Sequence, residues 1–236
     1  MTKLEIRDLT PAYGAEVSGL DPSTELDDED IALLRKTFDE RSLLLFRDLD
    51  IDAEYQAYLV KLMIGHDGPT GDGKDVDAAD AFNVSNREDD GGAPYGKLLF
   101  HSDMMWAENP VHVLSLYGLE LEPPVAPTVF TSSAQAWKTL PAELRSRVEG
   151  KHAVHATGQR ERGKEPGGEL LQPIRENQQS TTKPVGNAHP RTGDTLLYVC
   201  QMMTDNIVEL PADESEELLE ELFAHLYDKK ITYSHD

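Results

Sequence analysis

His101 and Asp103, in the run Phe100-His101-Ser102-Asp103-Met104-Met105-Trp106, are the residues whose types and spacing could do chemistry. In an extended strand, side chains i and i+2 point to the same face, so this imidazole and carboxylate would converge on one point. Such a pair is two-thirds of the 2-His-1-carboxylate facial triad of non-haem Fe(II) oxygenases. The same spacing also arises as an ordinary surface pair at a strand end. Here Met104, Met105 and Trp106 follow it, an apolar wall unlike a solvated loop.

The elements that must position the pair are short. Leu4-Glu5-Ile6 alternates as a strand, and residues 13–20 read as a turn and a second strand. Asp27 to Glu40 reads as an amphipathic helix, with Ile31, Leu34 and Phe38 on one stripe and Asp27, Asp28, Glu29 and Asp30 in the first turn, where the helix dipole favours acids. Ser42 to Arg47 reads as a buried strand and Asp52 to Ile64 as a second helix. Residues 65–74 read as a loop whose Gly-Asp-Gly-Lys lacks phosphate-loop spacing. Further strands are expected at 81–86, 111–121, 128–132, 195–199 and from Lys230. Ser133 to Val148 predicts a helix that Pro141 interrupts, and Asp213 to Tyr227 a strongly acidic one. Residues 158–182 are charged and poor in apolar groups, and predict a long mobile insertion or lid. The pattern, with no internal repeats, predicts a single domain over residues 1–236, mostly β, with an antiparallel core and peripheral helices.

Composition narrows the function classes. The 236 residues include 44 acidic and 22 basic side chains, a formal charge of −22. Such a surface repels nucleic acid and anionic membrane and leaves a homo-oligomer open. Cys200 is the single cysteine, so neither an intrachain disulfide framework nor a Cys-based zinc cluster is available. The N-terminus has no apolar signal-peptide core, and no run reaches the length of a membrane span. A cytoplasmic protein is expected.

The order of these segments resembles the TauD/TfdA family of Fe(II)- and 2-oxoglutarate-dependent dioxygenases. Gly14-Ala15-Glu16-Val17-Ser18-Gly19 resembles the family's N-terminal strand signature, and Leu45-Phe46-Arg47-Asp48 its buried LxFRDQ strand. Phe100-His101-Ser102-Asp103 matches W/F-H-[ST]-D. Pro127-Thr128-Val129-Phe130-Thr131-Ser132 is similar to GGDTxFxS, with the Gly-Gly-Asp replaced by Val125-Ala126-Pro127. His189-Pro190-Arg191-Thr192-Gly193 with Leu197-Tyr198-Val199 matches HPxTGxxxLYV, and Glu214 to His225 the ESxxLLxxLFxH helix. Each motif is weak alone; their order through nearly the whole chain is specific. The resemblance implies a double-stranded β-helix (jelly-roll) core, His101 and Asp103 as iron ligands, and Thr128 as a ligand of the 2-oxoglutarate carboxylate. It implies Fe(II), 2-oxoglutarate and O2 as cofactor and co-substrates. The reaction would be decarboxylation of 2-oxoglutarate to succinate, coupled to oxidation of a small organic substrate.

The family pattern places a third iron ligand, and an Arg for the distal carboxylate of 2-oxoglutarate, beyond a Trp-Asp-Asn segment. Tyr233-Ser234-His235-Asp236 resembles the lead-in to that segment. The expectation is a C-terminally truncated domain, or a member that has lost the site. His235 is not expected to complete the triad, because a terminal residue has no element to orient it. Asn86, Met104 and Trp106 are substrate-pocket candidates, with packing roles as the alternative. His189 is expected in a structural turn, His152 and His155 on a strand near the core, and Cys200 buried. Two other functions remain open: a catalytically degenerate jelly-roll protein with a binding or scaffold role, and a cupin-like metal protein of other chemistry.

Overall fold

A computed structural model of the chain describes residues 4–64, 84–85, 98–157 and 179–235. The expected strand at 81–86 therefore lies almost wholly outside the described residues. So do Asn86 and most of the predicted insertion.

The N-terminal third builds one layer. Strand β1 (Glu5–Asp8) pairs antiparallel with β2 (Ala15–Ser18), and β3 (Leu44–Phe46) adds to β2 in parallel. Helix α1 (Asp28–Arg41) starts where the Asp27 carboxylate accepts the Asp30 N–H at 2.9 Å, and ends at Ser42 with φ 63. Asp52 does the same for helix α2 (Ala53–Ile64), accepting from Tyr55 N–H at 2.8 Å. Leu34, Leu59, Leu62 and Met63 from the two helices bury against Val17 and Leu4.

The remaining elements form the larger core. Strand β4 (Thr128–Thr131) leads into α3 (Ser133–Thr139), capped by Ser132, and α4 (Ala142–Val148). The two helices are split at Pro141, as the sequence predicts, because proline lacks the N–H and clashes with the preceding turn. Strand β5 (His152–Ala156) lies between β6 (Ser180–Pro184) and β9 (Thr204–Ile207), antiparallel to both. Strands β7 (Gly186–Ala188) and β8 (Thr195–Leu197) form a hairpin. Helix α5 (Ala212–Leu226) buries Leu218, Leu219, Leu222, Phe223 and Leu226 against this core. Strand β10 (Thr232–His235) closes antiparallel on β4, pairing His235 with Thr128. Arg191 ties the two layers together. Its guanidinium meets the Asp39 carboxylate at 2.6 Å, donates to the Met63 carbonyl and lies over the Phe38 ring.

Four expectations are corrected. Residues 101–106 are not a strand: His101 and Ser102 are irregular and Asp103 to Trp106 form turns. Among the described residues no strand forms across 111–121. Val113 packs on the N-terminal core and the Tyr117 hydroxyl donates to the Leu49 carbonyl, while Leu114, Leu116, Leu119 and Leu121 face out. Alternating side chains were present, but a strand also needs a laddered neighbour. The insertion predicted to run to residue 182 gives way to β6 at Ser180, because Thr181 and Thr182 find partners on β5. His235 does have an element to orient it, since β10 ladders with β4.

Candidate active site

The site is built by a turn rather than a strand. Met105 N–H donates to Ser102 O at 3.1 Å and Ala107 N–H to Met104 O at 2.8 Å, wrapping the chain tightly after Asp103. Met104 takes the left-handed conformation with φ 53, uncommon for a residue with a Cβ. Three contacts hold the turn in place. The buried Met105 side chain packs with Tyr198, Cys200 and Met203. Phe100 O accepts from Met202 N–H at 3.2 Å. Beyond the turn, Lys183 of β6 donates to Glu108 O at 2.9 Å and meets its carboxylate at 3.4 Å, and the Thr181 hydroxyl donates to Glu108 Oε2 at 3.2 Å.

Within this frame the His101 ring has one orientation. Its Nδ1 lies 2.8 Å from Leu99 O, a carbonyl that can only accept, so Nδ1 carries the proton. Nε2 then directs its lone pair at Asp103 Oδ1, 3.3 Å away. The Asp103 carboxylate raises the His101 pKa above its ordinary value; burial opposes this and the Leu99 carbonyl adds to it. An imidazole nitrogen and a carboxylate oxygen at this separation fit neighbouring positions around one divalent ion. Bonds of about 2.1 Å at right angles set adjacent donors about 3 Å apart. Among the described residues no group of three His, Cys, Asp or Glu side chains gathers as a complete ligand set.

Beside His101 lies a cavity of about 200 Å3. The stacked rings of Phe100 and Tyr227, 4.1 Å apart at 10°, form one wall. From the turn after Asp103, Met105 lines it as well; Trp106 packs partly buried against the Met105 cluster. Thr131 and Ser133 line it from the end of β4 and the start of α3. Thr128 sits three residues earlier on β4, exposed, opposite His235.

The profile of the family described as "Taurine catabolism dioxygenase TauD, TfdA family" matches residues 5–236. The chain belongs to the TauD/TfdA family. Pentalenolactone F synthase of Streptomyces avermitilis is 27% identical over 244 residues, covering 95% of this chain and 80% of that protein. The alpha-ketoglutarate-dependent dioxygenase cnsP of Penicillium expansum is 26% identical, covering 94% of this chain and 62% of its own length. Among solved structures, a taurine dioxygenase from Burkholderia xenovorans superposes with a TM-score of 0.68 at 24% identity, over 99% of this chain and 77% of that one. AAD-2 in complex with Mn(II) and N-oxalylglycine gives 0.70 at 22% identity, over 100% and 84%. These likenesses establish a TauD-type fold. Membership supports dioxygenase chemistry dependent on 2-oxoglutarate as the general kind of reaction.

Other sequence expectations about individual side chains can be placed. His189 Nδ1 accepts from the N–H groups of Arg191 and Thr192, the structural turn expected of it. His225 joins α5 to α3 through a 2.9 Å bond from Nε2 to Ala136 O. Cys200 is buried, and burial raises its pKa. Sequence reasoning missed the Leu99 carbonyl that orients His101, the Lys183–Glu108 tie and the Phe100–Tyr227 wall. A carbonyl carries no residue signature, and the other two join positions more than 70 residues apart. No helix among the described residues is long and apolar enough to cross a membrane.

Proposed function

We propose that this chain is an Fe(II)- and 2-oxoglutarate-dependent dioxygenase that oxidises a small organic substrate, with His101 and Asp103 as iron ligands. The carrying observation is the pair itself. Leu99 O fixes the Nδ1 proton, so that Nε2 and Asp103 Oδ1 face each other at 3.3 Å, two acceptors aimed at one position. Bound there, Fe(II) would supply open positions for a bidentate keto acid and O2, coupling 2-oxoglutarate decarboxylation to substrate oxidation.

The chain's own residues would do the rest. The Leu99 carbonyl keeps His101 in the tautomer that presents Nε2, as ligating histidines require. Metal uptake displaces any proton held between His101 and Asp103, so affinity falls as pH falls. Thr128 is the position for the 2-oxoglutarate carboxylate, to which its exposed hydroxyl can donate. Met105 and the Lys183–Glu108 tie hold the turn so that the two donors keep their separation. The stacked Phe100 and Tyr227 rings form one apolar wall of the cavity beside His101. The substrate is a small molecule and the expected compartment is the cytoplasm.

The test is anaerobic Fe(II) or Co(II) titration of the protein and of His101→Ala and Asp103→Ala, with succinate release as a second readout. Each variant is expected to lose metal affinity by about 100-fold or more. Asp103→Glu also fails, because an added methylene moves the oxygen further than a metal bond tolerates. Unchanged affinity in both alanine variants removes the ligand assignment. No uptake by the wild-type protein leaves the binding or scaffold reading in its place.

A further inference from the structure

The run that carries His101 and Asp103 belongs to no strand among the described residues, so something other than a ladder must hold it. A second turn, from Cys200 to Thr204 at the start of β9, touches it twice. Met202 N–H donates to Phe100 O at 3.2 Å, just before His101. Met105, just after the Asp103 turn begins, seats against Cys200 and Met203. The ligand pair is thus clamped on both sides by one short turn.

Side chains give this turn its shape. Each of its five N–H groups has a partner, and three of those partners are side chains. Cys200 N–H donates to the Thr204 hydroxyl oxygen at 2.8 Å, Gln201 N–H to the Tyr227 hydroxyl oxygen at 3.2 Å and Met203 N–H to Cys200 Sγ at 3.3 Å. Met202 reaches Phe100 O, and Thr204 N–H closes the turn on Cys200 O at 3.1 Å. Thr204 is the anchored end. It is fully buried, its backbone is fixed where β9 pairs with β5, and its hydroxyl also meets His155 Nδ1 at 3.1 Å. Without that hydroxyl the buried Cys200 N–H loses its acceptor, a costly state that the turn escapes only by changing shape. A changed turn moves both the Phe100 contact and the Met105 seat. Metal ligands need placement to about 0.5 Å, so a small displacement matters.

We propose that Thr204 is a positioning residue for the ligand run: its hydroxyl fixes the Cys200–Thr204 turn, and that turn sets where His101 and Asp103 stand. The consequence for metal binding rests on the reading of those two residues as iron ligands; the control of their placement does not.

The experiment compares Thr204→Val, Thr204→Ser and Ser215→Ala with wild type. Valine keeps the branched shape without the acceptor, and serine keeps the hydroxyl. Ser215→Ala is the control, because Ser215 Oγ accepts Ile207 N–H at 2.7 Å, a comparable buried bond outside the turn. Thr204→Val and Ser215→Ala are both expected to lower Tm by about 2–10 °C. Only Thr204→Val is expected to weaken Co(II) binding, by about tenfold or more, with Thr204→Ser within about threefold of wild type. In the metal-free proteins, only Thr204→Val should shift the Phe100 carbonyl carbon and His101 ring signals in NMR spectra. A further measurement uses wild type alone. Zn(II) should slow hydrogen exchange at the Cys200 and Met202 amides more than at Ile207, because a turn that favours the metal is favoured by it in return. Unmoved Phe100 and His101 signals in Thr204→Val, equal movement in Ser215→Ala, or no recovery in Thr204→Ser overturns the proposal. So does equal slowing at all three amides, which decides the matter if Thr204→Val does not fold. Failure of the iron reading looks different: wild type takes up no Co(II), yet Thr204→Val still moves the Phe100 and His101 signals and Thr204→Ser restores them. That result removes the ligand assignment and leaves the control by Thr204 standing.

Discussion

At the scale of single residues, His155 carries the clearest consequence outside the proposed ligand pair. It is fully buried on β5, with Nδ1 3.1 Å from the Thr204 hydroxyl and its ring edge-on to Tyr198. Among the described residues Nε2 has no hydrogen-bond partner. Burial lowers its pKa from 6.5 to about 4, with the Lys183 charge adding to the shift. The sign follows from proton binding. Above 6.5 both folded and unfolded chains hold a neutral imidazole and stability does not change. Between 6.5 and about 4 only the unfolded chain takes up the proton, so stability falls as pH falls. The loss is expected to reach about 3 kcal/mol at the acid end of the window. His101 runs the other way: its raised pKa adds stability at low pH that is lost as pH rises. Urea unfolding of wild type and His155→Phe across this range isolates the term. The two profiles should diverge only on the acid side, and parallel profiles would show that His155 is not responsible.

At the scale of elements, the contact between β7 and α3 depends on a missing side chain. A Cβ on Gly186 would lie 2.5 Å from Trp137 Cη2 and 3.0 Å from two further ring carbons. The ring has little room to retreat, because Arg145 stacks on it at 4.7 Å and it packs against the main core. Gly186→Ala is therefore expected to destabilise by about 1–3 kcal/mol through overpacking. In the Gly186→Ala background, Trp137→Phe should recover part of that loss, since the clashing atoms belong to the indole's outer ring. Additive losses in the double variant would mean that the two residues do not compete for one space. The turn that carries Asp103 is an element of the same kind. Its shape is held by its own backbone bonds together with Met105 seated among Tyr198, Cys200 and Met203.

At the scale of the whole molecule, two surface properties oppose each other. Leu114, Leu116, Leu119, Leu121, Val125 and Val129 are all exposed within one short stretch, with Leu119 at 76% and Leu121 at 68%. Apolar side chains exposed this densely along the chain favour association. The formal charge of −22 opposes it by mutual repulsion. Salt screens the repulsion and leaves the apolar attraction, so self-association is expected to increase with ionic strength. Light scattering coupled to size exclusion at low and high salt measures this. Leu119→Glu with Leu121→Glu should hold the chain at its low-salt mass. An unchanged mass in wild type at both salts would show that the row does not drive association.

The sequence by itself determined what neighbouring residues decide among themselves. The Asp27 cap and the Leu34 stripe set α1, Pro141 divides α3 from α4, and the apolar stripe of α5 set which face turned inward. His189 found its turn within three residues. The pairing of His101 with Asp103 was also legible, because their spacing in the chain keeps them close whatever the local conformation. What the tertiary structure decided involves groups far apart in the chain. Whether 111–121 becomes a strand depends on a laddered partner, which no pattern within the segment can supply. Whether His101 and Asp103 meet on a strand face or across a turn depends on where Met105 finds its cluster. The cavity exists only where Phe100, Tyr198 and Tyr227 come together. Which side chains face it depends on burial, and a side chain acquires burial only when the rest of the chain closes over it.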